Sequence, residues 1–208
     1  MSRDGHSPSP PLRLLQLNMC HSVFSRDLVV DFLHRHPCDV LLLQDICPSL
    51  QSSPGDLRGY SLFLPTCRTL GEGSSQPLVA VLVRTTLAAQ PIGFSNCRMC
   101  GVFVSTGLGT VACISAYIQH TSGRGLDHLS LMLSTVRRNT PYFLVGADVN
   151  GHNSLWGPLE QLPNPVGAQV EEVITMHNLS IANVLPSPPT FISDRGFEAW
   201  IDVSLVSS

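Results

Sequence analysis

Apolar residues in this chain fall into short runs separated by polar loops, and the runs have two periods. Residues 12–18, LRLLQLN, place leucines at 12, 14 and 17, a slightly irregular alternation that predicts a strand ending in Asn18. Leu28, Val29, Phe32 and Leu33 recur at helical spacing and predict a helix over 27–36. Ser25 suits its N-cap, Asp27 its first turn, and Pro37 its end. Residues 39–44, DVLLLQ, predict a second, buried strand that runs into Asp45. Strand, helix and strand in that order read as a crossover unit.

Further on, 60–64 and 78–84 predict strands, with Ser-, Pro- and Gly-rich loops over 48–59 and 69–77. Residues 101–105 and 109–119 predict a hairpin turning near Thr106-Gly107-Leu108-Gly109. Leu129, Met132, Leu133 and Val136 line one face of a predicted helix over 126–138. The continuous apolar run 142–145 predicts a buried strand, and a Pro-rich loop spans 157–165. A helix follows over 167–177, with Val170, Val173 and Ile174 inward and a structural His177 at its C-terminal end. Residues 179–184 and 201–206 predict strands, separated by Pro188-Pro189-Thr190-Phe191 and a loop over 193–198. There are no internal repeats. Hairpins coexist with crossovers and strands outnumber helices. The expected class is α/β, a layered sandwich of two mixed β-sheets flanked by helices.

Size and composition add three constraints. With 208 residues, 43% hydrophobic and 13% charged, the chain suits one well-buried domain over 12–208. Residues 1–11, Ser- and Pro-rich without an apolar segment, read as a flexible tail rather than a secretory signal. No apolar run reaches the length of a membrane helix, so a soluble protein with no membrane partner is expected. Seven cysteines without a signal point to reduced thiols inside a cell. Cys97-Arg98-Met99-Cys100 has redox or zinc spacing but no second Cys/His pair nearby, and Cys20 and Cys113 read as core filler.

Charge narrows the functional classes. The net charge is -3 and every basic residue is arginine. A protein that coats nucleic acid would be basic, so any contact of that kind must be local. Arg137-Arg138, Arg68, Arg98 and Arg124 are candidates for phosphate contact, and a solvated surface accounts for them equally well.

Polar residues at predicted strand ends carry the chemistry. Asn18, Asp45, Tyr117 and the pair Asp148 and Asn150 each close a strand, and Asp202 opens one in Trp200-Ile201-Asp202-Val203. Asp148 and Asn150 lie two apart, so in extended chain they point to one side. Strand ends in layered α/β folds converge at one rim, where ligands bind. Three carboxylates and two amides form an all-oxygen set suited to Mg2+ or Mn2+. A divalent ion with a carboxylate base is what phosphodiester hydrolysis requires.

On these residues the chain resembles the endonuclease/exonuclease/phosphatase superfamily, and within it the endonuclease domains of non-LTR retrotransposons. The match is carried by Leu15-Gln16-Leu17-Asn18, Leu42-Leu43-Gln44-Asp45, 79–83, Ser115-Ala116-Tyr117, Pro189-Thr190-Phe191 and Ile201-Asp202-Val203. Gly146-Ala147-Asp148-Val149-Asn150-Gly151-His152 with Trp156-Gly157 is its most specific part.

The resemblance implies a metal-dependent DNA endonuclease that nicks target DNA and leaves a 3′-hydroxyl to prime reverse transcription. Asp45 and Asn18 would hold Mg2+ or Mn2+. Tyr117 would contact the scissile phosphate, Asp148 would orient or deprotonate water, Asn150 would hold the phosphate, and Asp202 would support the site. His152 reads as a groove contact or a structural loop histidine, Arg124 as a phosphate contact, and Trp156 as packing. DNA and a reverse transcriptase domain of the same polypeptide would be the partners, and the nucleus the compartment.

Two departures stand out. Asp45 occupies a Glu position of the family and is one methylene shorter, which predicts weakened metal affinity. The family's closing Ser-Asp-His is absent, since Ser193-Asp194 leads into Arg195. The expectation is a domain lacking its last strand, a fragment or a decayed copy, with weak activity. The alternatives are another phosphodiesterase or phosphatase of the same fold, acting on lipid or inositol phosphates, or an inactive remnant that only binds.

Overall fold

Strand β1 (Leu14–Asn18), helix α1 (Val23–Arg35) and strand β2 (Val40–Gln44) form the crossover unit. The two strands are parallel, with Leu14 opposite Val40 and Asn18 opposite Gln44. β3 (Tyr60–Phe63) and β4 (Val79–Arg84) complete a four-stranded mixed sheet in the order β1-β2-β4-β3. This computed structural model describes residues 11–48, 50, 57–66, 76–120 and 125–208. Much of the 48–59 and 69–77 loops therefore lies outside the described residues.

The second sheet begins with β5 (Ala89–Pro91), β6 (Met99–Thr106) and β7 (Gly109–Tyr117). Helix α2 (Leu126–Val136) leads to β8 (Phe143–Asp148), which runs parallel to β7. Helix α3 (Pro165–Met176) leads to β9 (Leu179–Ile181). A ribbon of β10 (Phe191–Ile192) and β11 (Glu198–Ala199) precedes β12 (Asp202–Ser207). The six-stranded order is β5-β6-β7-β8-β12-β9.

Three apolar layers hold these elements together. Val40, Leu42, Val79, Val81, Val102 and Cys113 fill the space between the sheets. Leu41, Leu43, Ala80 and Leu82 pack with Val29 and Leu33 of α1 on the outer side of the first sheet. Ala112, Ile114, Val145 and Leu205 pack against α2 and α3 outside the second. Strand β2 illustrates the cause. Successive side chains point to opposite faces, both faces are covered, and all five residues are buried. Such a strand needs a continuous apolar run, and each buried leucine contributes about 1.5–3 kcal/mol relative to an exposed one. The result is the layered α/β sandwich of two mixed sheets.

A polar seam crosses the inter-sheet layer. The Gln44 amide, fully buried, donates to Ser115 Oγ at 2.8 Å and to the Gly146 carbonyl at 3.0 Å. The Ser115 hydroxyl donates to the Leu43 carbonyl at 2.7 Å. Gln16 donates to the Ala147 carbonyl at 3.1 Å and accepts from Ser204 Oγ at 2.8 Å. Gly146 permits this approach, because a Cβ there would stand 2.9 Å from Leu42 Cδ1 and 3.0 Å from Gln16 Oε1. Two side chains thereby fix the backbone just ahead of Asp148.

Several expectations need correction. Helix α1 starts at Val23 with Ser22 as N-cap, and no acidic residue lies in its first turn. Ser25 lies inside the helix, where its hydroxyl donates to the Met19 carbonyl at 2.9 Å. Only Val29 and Leu33 of the expected apolar face are buried; Leu28 and Phe32 are exposed. Helix α3 begins at Pro165, two residues early, because proline at a first helical position gives up no hydrogen bond. The strand expected over 179–184 ends at Ile181. Cys20 is exposed rather than core, whereas Cys113 is fully buried. Cys97 and Cys100 are both buried thiols outside any disulfide, and burial pushes Cys100 up to about 12.

Candidate active site

Register brings the polar strand ends together. Tyr117 of β7 lies opposite Asp148 of β8, and Asp148 lies opposite Asp202 of β12. Directly opposed residues share a face. Phe143, Val145 and Ala147 face the helices, so Leu144, Gly146 and Asp148 face the first sheet. Val203 and Leu205 likewise face the helices, which turns Asp202 inward. Tyr117, Asp148 and Asp202 thus form one row across three strands at the rim of the inter-sheet layer. From the first sheet Asn18 reaches across, its Nδ2 donating to Asp148 Oδ2 at 2.7 Å.

Asp148 is the centre of this row, with only 2% of its surface exposed. Its other oxygen, Oδ1, accepts from the Asn150 backbone N–H at 3.1 Å. Burial, helped by the negative charge of Asp202, pushes its carboxyl up to about 8, against the hydrogen bonds from Asn150 and Asn18. Asp202 is pushed up to about 6, again chiefly by burial. Thr190 Oγ1 accepts from its backbone N–H at 3.1 Å, while Asp202 Oδ1 is shielded from solvent with no hydrogen-bond partner. Tyr117 is raised by burial and then by Asp45 and Asp148, and its hydroxyl is hydrogen-bonded to the Asn150 side chain. Asn150 Nδ2 donates to the Ile118 carbonyl at 3.1 Å.

Asp45 follows β2 in the left-handed region, at φ 51°, as Asn150 follows β8 at φ 48°. Each departs from regular strand geometry where its side chain enters the rim, at a cost of about 1–3 kcal/mol per residue. Burial raises Asp45, and His21 opposes that shift, with Nε2 3.0 Å from Asp45 Oδ1. Asp45 in turn raises Tyr117, Asp148 and Asp202, so the carboxylates of both sheets share one electrostatic environment. A groove of about 290 Å³ opens beside the row, lined by Gln16, Asn18, Cys20, Thr190, Phe191 and Asp202 among others.

The donor set suits a divalent cation. Crowded carboxylates with raised proton affinity and an unpartnered buried oxygen on Asp202 are relieved by added positive charge. Among the described residues no three His, Cys, Asp or Glu side chains are grouped closely enough to hold an ion alone. The arrangement fits an ion bound by one or two carboxylates, with water and a substrate phosphate completing its shell.

Of the remaining expected residues, His152 is half-buried in the loop beyond β8. Its N–H donates to Asn164 Oδ1 at 3.1 Å, and its ring Nδ1 is buried without a partner. Burial and the neighbouring His120 hold its ring below the usual histidine range. Arg124 lies outside the described residues. Arg98 lies close enough to Tyr117 to oppose its upward shift. Arg137 instead donates to the His177 carbonyl and stacks over Phe143, 5.4 Å from the ring centroid. Trp156 is buried, with Nε1 donating to the Trp200 carbonyl at 3.1 Å.

His21 and Asn164 had no expected role, and Gln16 and Gln44 stood in the matching segments without one. For Asn164 a signal was present, since Asn followed by Pro is a helix-start pair. Gln16 and Gln44 occupy places that only the packing of the two sheets defines, and His21 owes its place to the turn after β1 that folds it onto the end of β2.

Fold and rim together define the class: this is the endonuclease/exonuclease/phosphatase fold. Residues 111–208 match the family model Exo_endo_phos_2, described as Endonuclease-reverse transcriptase, so the resemblance seen in the sequence holds. By sequence alone, no curated protein matches the chain. The endonuclease domain of TRAS1, a telomere-specific non-LTR retrotransposon, is similar with TM-score 0.78 at 18% identity. That match covers 96% of this chain and 86% of the other. The 3′ phosphatase NExo from Neisseria, bound to a product DNA hairpin, is similar at TM-score 0.66 and 14% identity, covering 95% and 87%. D. rerio TDP2 complexed with a single-strand DNA product gives TM-score 0.64 at 11% identity, covering 95% and 84%. No helix among the described residues is long and apolar enough to cross a membrane.

Proposed function

We propose that this protein is a divalent-metal-dependent DNA endonuclease of non-LTR retrotransposon type, which nicks one strand and leaves a 3′-hydroxyl for reverse transcription. The observation that carries the reading is the 2.7 Å bond from Asn18 to Asp148, which joins the two sheets at a carboxylate flanked by Tyr117 and Asp202. A family model described as Endonuclease-reverse transcriptase and the likeness to a retrotransposon endonuclease domain support it.

In this reading Asp148 accepts the proton of the attacking water. A base works best when its pKa lies near the working pH, and burial has moved this carboxyl to about 8. Asn18 and the Asn150 N–H each hold one of its oxygens, which fixes the direction of proton acceptance. Tyr117 and the Asn150 side chain donate toward a non-bridging phosphate oxygen, and Arg98 adds positive charge on the Tyr117 side. Asp45, with Asn18 beside it, holds Mg2+ or Mn2+, and Asp202 braces the row from the far side. The bound ion supplies charge stabilisation for the phosphate and leaving oxygen. His152 and Arg124 contact the DNA flanking the cut. A reverse transcriptase in the same polypeptide would use the new 3′ end, which places the working protein in the nucleus.

A supercoiled-plasmid assay with Mg2+ or Mn2+ tests this. Nicked circles whose 3′ ends a polymerase extends are expected, and EDTA should abolish them. Hydrolysis of inositol or lipid phosphates without nicking would move the assignment to another activity of the fold.

A further inference from the structure

His21 has a partner placed at each of its two ring nitrogens. Its Nδ1 lies 3.2 Å from the Ile46 carbonyl oxygen, and its Nε2 lies 3.0 Å from Asp45 Oδ1. The backbone sets this up. Met19 N–H donates to the Gln44 carbonyl and His21 N–H to the Asp45 carbonyl, both at 2.8 Å. Cys20 and His21 adopt left-handed φ values of 47° and 52° to bring the ring over the end of β2. A carbonyl oxygen only accepts, so Nδ1 carries a hydrogen and donates to Ile46. In the neutral ring the Nε2 lone pair then points at a carboxylate oxygen. Two acceptors 3.0 Å apart require something positive between them, either a proton or a metal ion.

The geometry suits a metal. An ion with bonds of about 2.1 Å carries neighbouring donors at right angles about 3 Å apart. A histidine that binds metal through one nitrogen characteristically donates the other N–H to a carbonyl, which fixes tautomer and ring direction. The pair also answers the shortening of the side chain at position 45, because His21 brings a second donor to the place that a shorter carboxylate reaches less well. Imidazole suits ions such as Zn2+, Fe2+ and Ni2+; Mn2+, although served mainly by oxygen, accepts an imidazole ligand, whereas Mg2+ keeps to oxygen and water. The pair is accessible to an incoming ion, its side chains 53% and 21% exposed.

We propose that His21 is a metal ligand, and that with Asp45 it forms a nitrogen–oxygen pair directing this rim toward Mn2+ or another imidazole-accepting dication in preference to Mg2+. The inference rests on the metal-dependent reading of the same rim, but its readout does not require DNA cleavage.

The test is pulsed EPR of Mn2+ added to the full chain, with a Mn2+ titration alongside and Mg2+ binding followed by calorimetry. The wild type should show nitrogen coupling from one imidazole on the bound Mn2+. In His21→Gln the coupling should vanish and Mn2+ affinity fall at least about tenfold, while Mg2+ affinity changes less than about twofold. Circular dichroism checks that the variant is folded, and the wild-type coupling stands as a measurement even if it is not. Bound Mn2+ without nitrogen coupling, coupling that persists in folded His21→Gln, or no Mn2+ binding by the folded wild type would each overturn the proposal. Nitrogen coupling without plasmid nicking would leave it standing and count against the endonuclease reading. Nicking without nitrogen coupling would do the reverse.

Discussion

Asp148 and Asp45 differ in their surroundings at the rim, the first buried and held by two donors, the second more open and paired with His21. Burial has raised Asp148 to about 8 and Asp202 to about 6. Groups that bind protons more tightly when folded stabilise the fold at low pH. Their contribution is complete below about pH 4, the unfolded carboxyl value, and is lost as pH rises through about 6 and then about 8. In EDTA the melting temperature should therefore fall between about pH 5 and pH 8.5, and Asp148→Asn should remove much of that slope. A wild-type melting temperature that is flat or rising over this window would contradict the assignment. If Asp148 is the base proposed above, the same substitution should lower nicking by more than about a hundredfold, since the amide keeps the shape and accepts no proton. Asp45 poses a question of reach. Asp45→Glu extends the carboxylate by one methylene past the His21 contact, and Mg2+-dependent nicking should rise; an unchanged rate in the plasmid assay would mean reach does not limit the site.

At the scale of elements, the position of the loop beyond β8 depends on the start of α3. Asn164 Oδ1 accepts from the Gly167 N–H at 2.7 Å and from the His152 N–H at 3.1 Å. One amide oxygen thus caps a helix and fastens the loop that follows the candidate base. The contact is tight, since a Cβ at Gly167 would stand 1.9 Å from the His152 carbonyl oxygen. Asn164→Ala should cost about 0.5–2 kcal/mol in urea unfolding, the range for a lost N-cap, and should reduce nicking as well, because Asn150 sits two residues before His152. Loss of stability with wild-type activity at a temperature where both proteins are folded would separate the cap from the loop. The elements also mark how far the sequence could be read. β2, β4 and β8 are continuous apolar runs buried on both faces, and their pattern was visible without coordinates. β5, β10 and β11, of three, two and two residues, are too short to show a period, and their strand character comes from pairing alone. Helix α1 starts at Val23 rather than after Ser25, because the turn that follows Asn18 sets its N-cap at Ser22 and leaves Ser25 inside the first turn.

For the whole molecule, the legible part of the site is what strand ends impose and the illegible part is what the meeting of two sheets imposes. Asn18, Tyr117, Asp148 and Asp202 could be placed near one another because each closes or opens a strand. The bracing of the Asp148 strand by Gln16 and Gln44 spans 131 and 102 positions between the sheets, and the pairing of His21 with Asp45, 24 positions apart, depends on the left-handed turn that follows β1 beside the end of β2. Charge is the property of the whole chain that bears on a DNA substrate. Twelve arginines and no lysines stand against fifteen acids, giving -3. Each phosphate neutralised contributes about -0.9 to the slope of log K against log salt. A local footprint of a few arginines predicts a slope between about -2 and -4, far shallower than a broadly basic binder gives. Fluorescence anisotropy of a DNA duplex with Asp148→Asn, which keeps the substrate intact, measures this between 50 and 200 mM salt. A slope near -8 would require a wide basic face that this composition does not supply, and the DNA contact would then have to be sought beyond the rim. A shallow slope leaves phosphate neutralisation as a minor part of affinity, so discrimination among targets must come from groove contacts and from the deformability of the DNA itself.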